Sequence, residues 1–121
     1  MVDFEELERL LREKNHEYEM KVDEYKNAAV EAVKKRNEAK RQYAIKFLEL
    51  RAEKEGQKRL TEEDAKQRAF LETYDYQLEA DIAKVLADTL YEKIEQLKYE
   101  IDSLRSILSA YKETYERVTI G

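Results

Sequence analysis

The sequence predicts an all-α fold, a long antiparallel helical hairpin that forms a coiled coil and dimerises into a partial four-helix arrangement. Charged residues make up 42% of the 121 residues and apolar residues another 42%, a combination typical of long helices that share a narrow apolar seam. The chain has no proline and only two glycines, so few turns are expected. Apolar residues recur at intervals of three and four, which is the period of a helix.

The first helix is expected to span residues 3 to about 55. Its apolar positions begin at Phe4 and continue to Leu50 at helical spacing. A polar gap at Arg36 and Lys40 interrupts this pattern. The sequence leaves open whether the helix bends, breaks or continues across residues 34–42.

The turn is predicted at about residues 56–60 and the second helix at about 61–118, so that residues 1–121 form one helical-hairpin domain. Gly56 is the only interior glycine and suits the left-handed position that follows a helix C-terminus. Thr61 precedes Glu62, Glu63 and Asp64. This pattern is typical of a helix start, because threonine caps the first backbone N–H groups and acids favour the positive end of the helix dipole.

The second helix carries a regular heptad pattern of apolar residues. Four sustained heptads indicate a coiled coil, and isoleucine at a with leucine at d favours two strands in a parallel dimer. An antiparallel partner changes that preference, so the orientation of the dimer stays open. The predicted dimer or coiled-coil seam consists of Leu90, Ile94, Leu97, Ile101, Leu104, Leu108, Tyr111 and Tyr115.

Folding back at Gly56 places Tyr25 near Tyr91 or Glu92 and Phe47 near Phe70. A lone two-helix hairpin has a thin core, and a second apolar edge favours self-association. We therefore expect a homodimer. The residues of that edge are Leu10, Leu48, Leu71, Leu86 and Ile107.

Nine tyrosines are present, and several lie on or beside the apolar stripes. One interpretation is that they pack in the seam with their hydroxyl groups at its edge. The alternative is an aromatic face that binds another protein.

Basic residues are concentrated between residues 34 and 59, where the net charge is +6 in a chain of net charge −5. One interpretation is helix electrostatics, because bases near a helix C-terminus and acids at the next N-terminus complement both dipoles. The alternative is a nucleic-acid patch in which cations contact phosphates and aromatic rings stack on bases. That patch consists of Lys34, Lys35, Arg36, Lys40, Arg41, Tyr43 and Lys46.

The sequence contains no pattern that indicates catalysis or a cofactor. There is no cysteine, so a disulfide framework and a zinc–thiolate site are excluded, and no glycine-rich loop is present to bind phosphate. Glu13 and His16 have the spacing found in di-iron bundles, but they flank polar residues and a surface histidine is the preferred interpretation. The N-terminus does not resemble a signal peptide and no segment is apolar enough for a bilayer, so a cytoplasmic protein is expected. Because no catalytic pattern is visible, no small-molecule substrate is expected either.

Residues 35–69, KRNEAKRQYAIKFLELRAEKEGQKRLTEEDAKQRA, and residues 104–113, LRSILSAYKE, carry a heptad texture. Over about residues 34 to 112, the chain resembles small uncharacterised coiled-coil proteins of phages that infect Gram-positive bacteria. The resemblance implies a phage accessory protein in DNA metabolism or host takeover, acting in the host cytoplasm. It implies no active-site residue.

Two functions are expected from these observations. The first is a non-catalytic, homodimeric coiled-coil adaptor that binds another protein, in a phage replication or recombination complex. The alternative is a nucleic-acid-binding accessory protein that uses the basic segment 34–59.

Overall fold

The computed structural model describes the backbone of residues 3–52, 54–55 and 58–120 and the side chains of residues 3–52 and 60–114. The predicted all-α class is confirmed, with one short β ladder as an addition. In that ladder, Lys54 lies opposite Arg59 and Glu55 opposite Lys58 in antiparallel register. The elements in chain order are α1 (Phe4–Ala52), β1 (Lys54–Glu55), β2 (Lys58–Arg59), α2 (Glu62–Glu72) and α3 (Tyr74–Ile120).

Helix α1 begins at an aspartate cap, because Oδ1 of Asp3 accepts a hydrogen bond of 2.8 Å from the backbone N–H of Glu6. The helix continues without interruption through residues 34–42, which answers the question that the polar gap raised. Ala39 is buried within this stretch, and alanine has the highest helix propensity. Ion pairs one turn apart support the helix: Arg9–Glu13, Lys14–Glu17, Lys21–Glu24, Glu31–Lys35, Glu38–Arg41 and Lys46–Glu49.

The predicted end of the first helix, near residue 55, is wrong by about one turn. Helix α1 ends at Ala52, and Lys54–Glu55 forms a strand instead. Pairing with Lys58–Arg59 gives the backbone groups partners across the turn. The predicted left-handed glycine at Gly56 lies outside the described residues.

The predicted helix start at Thr61 is confirmed. Thr61 has extended backbone angles (φ −65°, ψ 158°), and its Oγ1 accepts a hydrogen bond of 3.1 Å from the backbone N–H of Asp64. Nη1 of Arg51 donates a hydrogen bond of 2.8 Å to the carbonyl oxygen of Leu60. This bond joins the last turn of α1 to the residue that precedes the cap.

The second helix was predicted as continuous, and this expectation is corrected at Thr73, which separates α2 from α3. The hydroxyl of Thr73 donates a hydrogen bond of 2.6 Å to the carbonyl oxygen of Ala69. A threonine hydroxyl that bonds back to the previous turn competes with the helical backbone pattern and bends the chain. Because Thr73 is buried, this bond is protected from water.

The chain divides into two compact units. Unit 1 consists of Met1–Lys26 and Thr89–Gly121, and unit 2 consists of Asn27–Asp88. In unit 1, residues of α1 contact residues of α3 in antiparallel order, with Phe4 against Tyr111 and Lys14 against Glu100. In unit 2, Lys46 contacts Glu72 in the same antiparallel sense.

Candidate protein-interaction surfaces

In unit 1, the predicted seam residues pack within a single chain. Ile94, Leu97 and Ile101 are buried, and Leu97 is fully inaccessible to solvent. Leu7 of α1 is buried in the same unit. Leu90, Leu104 and Leu108 are half-buried, Tyr111 is exposed, and the side chain of Tyr115 lies outside the described residues.

Aromatic rings extend the unit 1 seam. The rings of Tyr25 and Tyr91 lie 5.7 Å apart, which confirms the predicted register at this position. The rings of Phe4 and Tyr111 lie 5.9 Å apart. Aromatic pairs at this separation are favourable, because offset and tilted rings attract each other.

Ion pairs border the same seam. Nζ of Lys14 lies 3.0 Å from Oε2 of Glu100, and Nζ of Lys93 lies 3.8 Å from Oε1 of Glu17. The hydrogen bond and charge of Glu100 raise the pKa of Lys14, and Glu17 adds to the effect. Oε2 of Glu100 is inaccessible to solvent, so the ammonium group of Lys14 compensates for the loss of water around that oxygen.

Unit 2 has small residues where unit 1 has large ones. Among the described residues of this unit, the buried apolar ones are alanines apart from Leu50, and small side chains let helix backbones approach closely. One cluster contains Leu50, Ala65 and Ala69, with Tyr43, Phe47 and Leu60 packed against it. The remaining buried alanines are Ala32, Ala39, Ala80, Ala83 and Ala87.

Three of these alanines continue the heptad seam toward the N-terminus of α3. Ala80, Ala83 and Ala87 precede Leu90 at spacings of three, four and three, and all three are buried. Sequence reasoning that follows large apolar residues starts the seam at Leu90 and misses them. The unbroken spacing was the signal that was available in the sequence.

Large apolar side chains of unit 2 lie on its surface. The exposed fraction is 71% for Leu71, 60% for Ile82 and 63% for Val85. On the α2–α3 side, the rings of Phe70 and Tyr74 form an edge-to-face contact at 6.0 Å. Exposed acids such as Asp75 and Asp81 lie among these apolar residues in the sequence. We therefore call the α2–α3 set the acidic outer face: Phe70, Leu71, Tyr74, Leu78, Ile82, Val85 and Leu86.

The α1 side of unit 2 carries a second exposed apolar set, interspersed with lysines and arginines. We call it the basic outer face: Val30, Val33, Ile45 and Leu48, together with Lys34, Lys40 and Arg41. Residues 27–52 contain seven basic and three acidic residues, whereas residues 62–88 contain three basic and eight acidic residues. The two outer faces are therefore complementary in charge.

The predicted nucleic-acid patch is not one continuous surface. Lys35 contacts Glu31 and Glu79, and Lys46 contacts Glu49 and Glu72. Tyr43 stacks on Phe47 with ring centroids 6.4 Å apart and packs against the unit 2 cluster.

The rest of the patch is exposed but points in different directions. Arg41 pairs with Glu38 at 2.9 Å. Lys34, Arg36 and Lys40 are exposed and have no ion pair with any described residue. Lys34 and Arg36 point about 160° apart, because each residue of an α-helix turns the chain by about 100°.

The Glu38 carboxylate is tied to its own helix. It accepts hydrogen bonds from Arg41, at 2.9 and 3.0 Å, and from the side-chain amide of Gln42, at 2.8 Å. These donors stabilise the ionised form and lower the pKa of Glu38 to about 2. The same contact raises the pKa of Arg41, so both groups are ionised at neutral pH.

His16 is exposed, and Glu13 forms an ion pair with Arg9 at 3.8 Å. Across the described residues, no group of three or more histidine, cysteine, aspartate or glutamate side chains is arranged to hold a metal ion. In the same part of the chain, no helix combines the length and apolar character that a membrane span requires. Comparison with protein-family models, with curated proteins and with solved structures finds no match for this chain.

Proposed function

We propose that this chain is a non-catalytic, homodimeric coiled-coil adaptor that binds another protein, and that the outer faces of unit 2 form the dimer. The observation that carries the proposal is the packing of the described part of unit 2, in which seven alanines and Leu50 are buried and twelve large apolar side chains are exposed. The resemblance to phage coiled-coil proteins suggests a role in a replication or recombination complex.

The arrangement of the acidic outer face favours a helical partner. Within α3, Leu78 and Val85 lie seven residues apart, with Ile82 between them and Tyr74 one turn before Leu78. This period matches the seam of a coiled coil, on the side of the helix opposite the buried alanines. A second helical layer that covers this face gives the large side chains the burial that the single chain does not provide.

The exposed area is of the size that a dimer needs. Burying a large apolar side chain stabilises by about 1.5–3 kcal/mol at about 25 cal/mol per Å², which corresponds to roughly 60–120 Å² each. Twelve such side chains of unit 2 are exposed, with exposed fractions from 40% to 71%. They offer roughly 350–700 Å², and flanking charged side chains extend this toward the approximately 800 Å² per partner of a standard interface.

Charge complementarity favours a second copy as the partner. The basic outer face of one copy carries Lys34 and Lys40, and the acidic outer face of the other carries Asp75 and Asp81, all of them exposed. A contact between the basic outer face of one copy and the acidic outer face of another therefore brings opposite charges together. Opposite charges around an apolar strip also determine which faces pair.

Sedimentation equilibrium at about 5 to 200 µM tests the dimer across the range of a weak to moderate association. We expect a particle of twice the 14.5 kDa chain mass. The double substitution Leu78→Glu and Val85→Glu should give a monomer with an unchanged helical circular dichroism spectrum. The matched control, Tyr99→Glu and Ile107→Glu, alters exposed residues of unit 1 and should remain dimeric.

Charge exchange tests the pairing of the faces. The variant Asp75→Lys with Asp81→Lys should dimerise more weakly, and adding Lys34→Glu with Lys40→Glu should restore the dimer. A wild-type monomer at every concentration would remove the proposal. Dimers that persist in the Leu78→Glu, Val85→Glu variant would move the interface elsewhere.

The alternative, a nucleic-acid-binding accessory protein, is supported by the exposure of Lys34, Arg36 and Lys40. It predicts DNA binding that weakens steeply with salt. Fluorescence anisotropy with single- and double-stranded DNA at low salt measures this directly. Loss of binding in the triple substitution of these residues by glutamate would support it, and a flat titration would eliminate it.

A further inference from the structure

A groove with an apolar floor and a basic rim runs between α1 and α3 in unit 1. Its cavity of about 470 Å³ is lined by Phe4, Glu8, Leu11 and Arg12 of α1 and by Arg105, Leu108, Ser109 and Lys112 of α3. On each helix the lining residues follow one another at intervals of three or four, except for the adjacent pairs Leu11–Arg12 and Leu108–Ser109. The lining residues of each helix therefore lie on one face of that helix. We call this site the basic groove.

The cations of the basic groove have no ion pair within the described part of the chain. Arg12, Arg105 and Lys112 are exposed, and none of the three forms an ion pair with a described residue. Glu8 is the one carboxylate in the lining. By contrast, the cations that border the seam of unit 1, Lys14 and Lys93, are paired with glutamates.

A second cavity of about 510 Å³ continues the groove along the same side of unit 1. It is lined by Asn15, Tyr18, Glu95, Lys98, Tyr99, Ile101, Asp102 and Arg105, so Arg105 belongs to both cavities. The side chain of Tyr99 is 75% exposed and offers an aromatic surface at this end. From Phe4 to Tyr18 the groove follows α1 for about 21 Å, at about 1.5 Å per residue.

We infer that the basic groove binds an acidic amphipathic helix of a partner protein. Two antiparallel helices leave a furrow in which a third helix places an apolar side chain once every turn. The floor residues Phe4, Leu11 and Leu108 would contact that apolar stripe, and the three cations would contact its flanking carboxylates. About four turns of a partner helix match the length of the groove.

Charge selects this partner over other classes. The chain as a whole has a net charge of −5, so most of its surface repels an acidic segment. The two cavities carry Arg12, Lys98, Arg105 and Lys112 against Glu8, Glu95 and Asp102, and Lys98 is paired with Glu95. The remaining cations outnumber the remaining carboxylates and attract an acidic segment. The apolar floor favours a leucine-bearing helix over a phosphate backbone, which would contact only the rim. The inference rests on the proposed adaptor function and names its partner-binding site.

The test uses three fluorescein-labelled, end-capped peptides of 18 residues. The first has leucines at a and d flanked by glutamates, the second has lysines in place of those glutamates, and the third has the composition of the first in scrambled order. In fluorescence anisotropy, we expect the first to bind at least about tenfold more tightly than the other two, and more weakly as salt is raised. Single-stranded DNA of equal charge should not displace it.

Charge reversal locates the binding site. Arg12→Glu with Arg105→Glu should weaken binding of the first peptide about tenfold. The matched control Lys66→Glu with Lys84→Glu alters two exposed lysines of unit 2, makes the same change of net charge and should leave binding unchanged. Circular dichroism shows whether each variant keeps its helical content.

Several outcomes would overturn the inference. They are equal binding of the first and scrambled peptides, no binding of any peptide, displacement by DNA, or full affinity in the Arg12→Glu, Arg105→Glu variant. If that variant instead lost its dimer in sedimentation, the groove would be an interface between copies. The Leu78→Glu, Val85→Glu variant separates the two proposals, because it should lose the dimer and still bind the peptide.

Discussion

Shortening Leu97 to alanine should destabilise the protein more than any comparable change on the surface of α3. Leu97 is fully buried in the seam of unit 1. The substitution removes three carbon atoms, worth about 0.8 kcal/mol each, or about 2.4 kcal/mol in transfer free energy. A cavity adds to this, but a seam of two helices relaxes more easily than a multilayer core, so we expect a total of about 2.5–3.5 kcal/mol.

For a chain of this size, about 1 kcal/mol changes Tm by roughly 3–5 °C. The Leu97→Ala variant should therefore melt roughly 8–15 °C below the wild type. Thermal and urea unfolding followed by circular dichroism measure this at one fixed protein concentration, because dimerisation contributes to stability. Equal urea m-values for the variant and the wild type would show that both proteins expose the same surface area on unfolding.

Ile107→Ala is the matched control, because Ile107 lies in the same helix and is 50% exposed. It should lose less than about 1 kcal/mol. Two results would refute the reasoning: a Leu97→Ala variant within about 1 kcal/mol of the wild type, or equal losses in both variants. Either would mean that Leu97 does not form the centre of the seam.

Three further outcomes follow from local contacts. Thr61→Ala should lose about 1 kcal/mol and Thr61→Ser very little, measured by urea unfolding, because only a side-chain oxygen caps α2. Because the folded pKa of Glu38 is lowered to about 2 from 4.5, its stabilisation is present above pH 4.5 and lost as the pH falls toward 2. In the Arg41→Gln variant, NMR titration of the Glu38 carboxyl carbon should show that the pKa of Glu38 has risen toward 4.5. Glu100→Gln should return the raised pKa of Lys14 toward 10.5, as measured by NMR of the lysine ε-carbon. The variant should also lose the stability that the Lys14–Glu100 ion pair contributes. That contribution is present below pH 10.5 and is lost as the pH rises through the folded pKa of Lys14.

Local chemistry was readable from the sequence. The absence of proline and the spacing of apolar residues predicted the helices, because helix formation depends on residues that are only three or four positions apart in the sequence. The cap at Thr61 was predicted for the same reason, since its oxygen bonds three residues away. The Tyr25–Tyr91 contact followed from the chain direction and the position of the turn.

The break at Thr73 and the ladder at residues 54–59 were not predicted. A threonine is compatible with a helix interior, and the hydroxyl of Thr73 is buried against its own helix. The ladder pairs residues whose composition, rich in lysine and glutamate, favours a helix. In both places, hydrogen bonds between residues close in sequence interrupt the regular helix, and composition alone does not reveal them.

The sequence by itself determined that the helices have two apolar sides, and the tertiary structure decided which side is buried. In unit 2 the alanines, including Ala83, face inward and Leu71 and Ile82 remain outside. The reason is distance: helices that approach closely accommodate only small side chains between them, and that separation depends on both partners at once. The spacing of residues along one helix carries no information about this separation. The same limit applies to the basic groove, because Arg12 and Arg105 come together only when the two helices pack.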